Sequence, residues 1–101
     1  MRLKEQKTSL KEDFQLNDQK CQLQQLRATI LEFRRIVSAL ERQISIEERK
    51  VGIYDKSHFA YPILAKSARQ RADNLLISIR DLLLRQEMLE ANLENKSNVC
   101  K

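Results

Sequence analysis

Glycine, proline and histidine each occur only once in this sequence, and tryptophan not at all. A single glycine leaves no Gly-rich loop to cradle phosphates. His58 has no serine or cysteine at a spacing that pairs with it as a nucleophile, so it reads more simply as a surface or capping residue. Asp55 and Asp73 fall in a turn and a helix, with no pattern joining them as a catalytic pair. The two cysteines, Cys21 and Cys100, have no CxxC pattern and no nearby His, so no zinc site is expected. They could form one disulfide at most, which a reducing compartment would keep open. Cys21 can serve as a small apolar residue. No run of about 18 apolar residues exists to cross a membrane. The opening stretch MRLKEQKTSLKEDF lacks the apolar centre of a signal peptide. The expectation is a cytoplasmic protein that is not an enzyme and uses no metal or cofactor.

Charge is abundant but dispersed. Lys, Arg, Asp and Glu make up 33% of the residues and the net charge is +5. Residues 1–50 carry 11 basic and 8 acidic side chains, and residues 51–101 carry 8 and 6. A nucleic-acid surface concentrates its basic residues or interleaves them with aromatics. Arg34-Arg35 and Arg69/Arg71 come nearest to a patch, and solvated helix faces account for them as well. No nucleic-acid partner is expected, and a basic nucleic-acid-binding hairpin is the weakest of the available readings. High charge with few aromatics suits long helices or coiled coil within one domain, residues 1–101.

The apolar residues have the matching period. Leu16, Leu23, Ile30, Val37, Ile44 and Val51 recur every seven residues, with Gln19, Leu26, Phe33, Leu40 and Glu47 between them. This is a coiled-coil seam. Ahead of it, Ser9 and Glu12 fit a capping box, although Leu3 and Leu10 could extend the helix back. A second seam follows through Ala65, Ala68, Ala72, Leu75, Ile79, Leu82, Gln86, Leu89 and Leu93. The predicted fold is all-α, a two-helix antiparallel coiled-coil hairpin. Helix 1 covers about 5–51, the turn 52–61 and helix 2 about 62–95, with a frayed tail at 96–101. A two-helix seam buries one face of each helix. Ile36, Ile46, Leu76 and Leu83 widen the apolar stripes and suggest a further partner or a homodimer.

The turn, GIYDKSHFAYP, holds the only Gly, Pro and His and three of the five aromatics. Gly52 suits a helix C-cap and Pro62 a helix start. Asp55 or Ser57 is placed to cap helix 2 or to close a short turn. Phe59 and Tyr61 either plug the closed end of the hairpin or dock a partner. The expected division is Phe59 packed inward over Ala65 and Ala68, and Tyr61 outward with His58 and Arg71.

The run Gly52-Ile53, Asp55, His58-Phe59-Ala60-Tyr61-Pro62, Ala65-Lys66, Ala68, Gln70-Arg71 and Asp73-Asn74-Leu75 resembles the middle of short flagellar export proteins of the FliJ family. Phe14-Gln15-Leu16 and the seam after it resemble that family's first helix. Lys56 and Ala72 depart from the family's usual Pro and Arg. The resemblance implies an antiparallel coiled coil of the type III export apparatus, cytoplasmic and peripheral to the inner face of the cell membrane. It implies a stalk or escort role, with the export ATPase, the membrane export gate and export chaperones as partners. Candidate partner-binding residues are His58, Phe59, Tyr61, Pro62, Arg69 and Arg71 around the turn, and Leu3, Leu10 and Phe14 near the start. The alternative is a generic coiled-coil adaptor or homodimerisation module, which the heptads alone would equally supply.

Overall fold

The computed structural model describes the backbone of residues 2–99 and the side chains of residues 15–95. The fold is all-α. Helix α1 runs Arg2–Val51 and helix α2 runs Ile63–Val99, joined by the turn. Helix α2 therefore continues past the expected end near 95, and residues 96–99 are helical rather than frayed. Nothing in ENKSNV breaks a helix, since it contains neither Gly nor Pro. The side chains of Leu3, Leu10 and Phe14, and Cys100 altogether, lie outside the described residues.

The chain's contacts separate into two units, residues 30–81 around the turn, and residues 1–29 with 82–101. In the unit around the turn, the two helices form an antiparallel hairpin. Leu40, Ile44, Tyr61, Ala65, Ala68 and Ala72 are buried together, with Ile36, Ile53 and Leu75 packed against them. Ile30, Val37 and Ile79 are also buried, and Phe33 is half-buried. The alanines explain the packing: a methyl at 65, 68 and 72 leaves space that Leu40, Ile44 and the Tyr61 ring fill. Val51, the last residue of the predicted seam, is instead exposed. The buried position falls on Glu48, four residues after Ile44, while Glu47 is only half-buried. A straight helix at 3.6 residues per turn drifts off a strict heptad, and here the burial follows the helix. Ile46 and Leu76 are about half exposed, whereas Ile36 packs inward.

In the other unit, Leu23 is buried, and Leu16, Gln19, Leu26, Leu82, Leu83, Gln86, Leu89 and Leu93 are half-buried. Arg27 reaches Glu90 across this unit at 3.2 Å, and Gln86 Nε2 donates to the same carboxylate at 2.8 Å. Both members of the Arg27–Glu90 pair are solvated, so the pair orients the helices more than it stabilises them. Cys21 is an exposed free thiol rather than a small apolar residue in the packing, because it falls two positions before Leu23 on the opposite side of the stripe.

The division between buried and exposed aliphatics gives a direct check. Leu40→Ala removes a buried side chain from the turn unit and should lower stability by about 2–5 kcal/mol. Leu76→Ala, at a half-exposed position, should change it by no more than about 0.5 kcal/mol. Urea unfolding followed by circular dichroism measures both, and similar losses at the two sites would contradict the packing.

Candidate functional site

The turn begins at Gly52, whose φ is 77°. Its N–H donates to the Glu48 carbonyl at 2.7 Å, which closes α1 with a left-handed cap. A Cβ at this position would meet nothing, so the demand for glycine comes from the backbone angle alone. Arg49 and Lys50 occupy the last turn of α1, where the helix dipole favours positive charge.

Two tight turns then follow. The His58 N–H donates to the Asp55 carbonyl and the Tyr61 N–H to the His58 carbonyl, both at 3.1 Å. Asp55 fixes the first turn with its side chain: Oδ1 accepts from the Ser57 amide at 3.1 Å and from the Ser57 hydroxyl at 2.8 Å. These bonds hold the Asp55 carboxyl below its usual range, the Ser57 hydroxyl contributing most. His58 fixes the second, its Nδ1 accepting from the Ala60 amide at 3.0 Å. Asp55 thus closes a short turn, one of its two expected roles. Pro62 supplies the carbonyl for the first α2 bond, from Lys66 N–H at 3.0 Å.

Tyr61 and Phe59 take the opposite places from those expected. Tyr61 is buried, and Phe59 is 97% exposed. The reason is polar. The Tyr61 hydroxyl donates to Glu48 Oε2 at 2.8 Å and accepts from Arg69 Nε at 2.7 Å. Arg69 Nη2 also donates to Glu48 Oε2 at 2.9 Å, closing a three-membered ring of bonds. Only a tyrosine can both fill the space over the alanines and satisfy a buried carboxylate and a guanidinium. A phenylalanine there would keep the direct Arg69–Glu48 bond but leave Arg69 Nε without its acceptor and take one donor from the buried Glu48 carboxylate. Among the described residues, no buried side-chain nitrogen or oxygen lacks a partner.

The remaining candidates divide in the same way. Arg69 belongs to the ring and is not free for a partner, whereas Arg71 is exposed. Pro62 is half-buried. His58 is exposed and stacks on Phe59, with ring centroids 4.7 Å apart and planes at 20°. Tyr54, Ile63 and Leu64 are exposed in the same unit. Sequence reasoning missed Glu48. Its signal was a carboxylate four residues beyond Ile44, where an apolar residue would otherwise continue the buried face. Among the described residues, no three of His, Cys, Asp and Glu gather as a metal site would require.

The fold and site define a helical hairpin whose closed end is held by a part-buried polar ring and presents a stacked His–Phe pair to solvent. Compared with known proteins, the chain matches no family model, no curated sequence and no solved structure.

The polar ring makes stability depend on pH. Hydrogen bonding from Arg69, then from Tyr61, holds the Glu48 carboxyl below its usual value of 4.5. Its contribution is therefore complete above 4.5 and is lost as pH falls through the lowered folded value. Melting temperatures recorded from neutral pH down through this range should drop, and Glu48→Gln should flatten the drop. A residual slope should remain from Asp55 and Glu90, whose carboxyls are also held low. An unchanged profile in the Gln variant would remove the ring from the account. Separately, Tyr61→Ala should destabilise by about 3–5 kcal/mol. Phe59→Ala should stay within about 0.5 kcal/mol, and equal effects would overturn the placement of the two rings.

Proposed function

We propose that this protein is a coiled-coil stalk or escort component of a flagellar type III export apparatus. In this reading it works in the cytoplasm, at the inner face of the cell membrane, and binds the export ATPase, the export gate and export chaperones. The observation that carries the reading is the turn sequence Gly52–Pro62 with the Ala65, Ala68 and Arg71 positions after it, which resembles the FliJ family. In support, these residues have separable jobs: Gly52 caps α1, Asp55 shapes the turn, and Ala65 and Ala68 receive Tyr61. His58, whose Nδ1 closes the second turn, and Phe59, which has no internal job, both face solvent. They are the partner-binding residues of this proposal, with the exposed Arg71 on α2. No helix among the described residues is long and apolar enough to cross a membrane, so attachment at the membrane would run through the gate.

A generic adaptor or homodimer is the second reading. The half-exposed Ile46, Leu76 and Ile77 favour it, because they would be covered by a second copy.

The deciding experiment is affinity purification of the tagged protein from cells that assemble flagella. Co-purification of the export ATPase is expected, with recovery reduced by Phe59→Ala while the melting temperature stays unchanged. Recovery of no export component, together with concentration-dependent dimerisation in sedimentation, would replace this reading with the second. Unchanged recovery with Phe59→Ala would remove the turn as the docking residue.

A further inference from the structure

Arg35, Ser38, Arg42, Ser45 and Arg49 follow one another at spacings of three and four along α1. That spacing places them on one helix face. All five are exposed, and all lie in the unit around the turn. This face is separate from the buried stripe of Val37, Leu40 and Ile44. Ser38, Glu41, Arg42, Ser45, Ile46 and Arg49 line a shallow depression on it.

Two features make this face more than a solvated surface. The first is unspent charge. Arg42 and Arg49 have no carboxylate partner among the described residues, although Glu41 lies next to Arg42. Arg35 has only a long contact, 3.8 Å, to Glu32, with both side chains well exposed. The second is regularity. Arginine recurs every seven residues, which is about 10.5 Å along a helix. The intervening residues on the face are small, so a second helix could approach to the usual 8–10 Å axis separation. Ile46, 52% exposed, supplies apolar contact at the edge.

We propose that this face docks an acidic helix of another protein, one whose carboxylates recur every seven residues. Arginine at one helix face and glutamate or aspartate at the same repeat on another would pair in register. The guanidinium can take a carboxylate in a two-point contact, which lysine cannot. The Ser38 and Ser45 hydroxyls remain available for hydrogen bonds at the helix crossing.

Other anionic partners fit less well. Duplex DNA carries a charge about every 1.7 Å along its axis, far denser than arginines about 10.5 Å apart. An anionic membrane surface is bound by helices with a broad apolar face opposite a basic one. Here the only large apolar side chain lining the depression is Ile46. The proposal does not depend on the export reading, since any acidic helix with this repeat would serve.

The test uses the full chain and a synthetic, labelled helical peptide of about four heptads, with Glu at every seventh position. A control peptide has the same composition with its Glu residues clustered. Fluorescence anisotropy is read at about 0.15 M salt, where distant charges are screened. The repeating peptide should bind at least about tenfold more tightly than the clustered one, roughly the factor expected from a few aligned charge pairs. Arg42→Glu with Arg49→Glu should abolish this preference, with only the small fall in melting temperature that follows from reversing a favourable charge in the last turn of α1. A peptide with Lys in place of Glu should then bind the reversed variant. Should the double reversal lower the melting temperature by more than that small fall, Arg42→Ala alone provides the same comparison and should weaken the repeating peptide several-fold. Equal binding of the two Glu peptides, or failure of the Lys peptide to recover binding, would overturn the proposal. So would tighter binding of duplex DNA or of phosphatidylserine vesicles than of the repeating peptide.

Discussion

The hydroxyl of Tyr61 is the point on which the turn unit depends. It joins a carboxylate from the last turns of α1 to a guanidinium from the second turn of α2, all within hydrogen-bond distance. A hairpin of two helices has a thin core. Among the described residues its long apolar side chains keep some contact with solvent, and none of the larger ones is fully buried. In such a core, apolar area alone does little to choose between neighbouring seam registers. A part-buried polar ring does choose, because any slip would strip the buried Glu48 carboxylate of Arg69 and Tyr61, at a cost above that of losing a surface pair.

The alanines and the ring are two parts of one arrangement. Ala65, Ala68 and Ala72 leave a space on α2 that must be filled. Tyr61 fills it because its position follows from the two turns set by Asp55 and His58. The same turns carry Phe59 to the other side, where it stacks on His58. One local geometry thus sends one aromatic inward and one outward. It makes Phe59 an inexpensive position to alter, since the packing beneath belongs to Tyr61 and the turn bond to His58.

Most of the fold could be read from the sequence. The heptads from Leu23 to Ile44, the alanines of α2, the cap at Gly52 and the turn at Asp55 were all legible, because each depends on local spacing or on a residue's own backbone preference. What could not be read depended on contacts between distant residues. Tyr61 and Phe59 are both large rings two positions apart, and only the approach of Glu48 and Arg69 decides which is buried. Glu48 itself looked like a solvated charge, since a strict heptad places Glu47 and Val51 in the seam. The end of α2 was placed too early because a polar run was read as fraying, although it contains no helix breaker. The arginine–serine face of α1 was in plain view as spacing, but its meaning rests on which arginines find partners in the folded chain.

The most direct test of the central claim is the proton contacts of the two turn aromatics in solution, measured by nuclear Overhauser spectroscopy. The account predicts contacts from the Tyr61 ring to the methyl groups of Ala65, Ala68 and Leu40. It predicts none from Phe59 to those methyls, and a contact between the Phe59 and His58 rings. Contacts from Phe59 to Ala65 and Ala68, with Tyr61 free of them, would contradict the account.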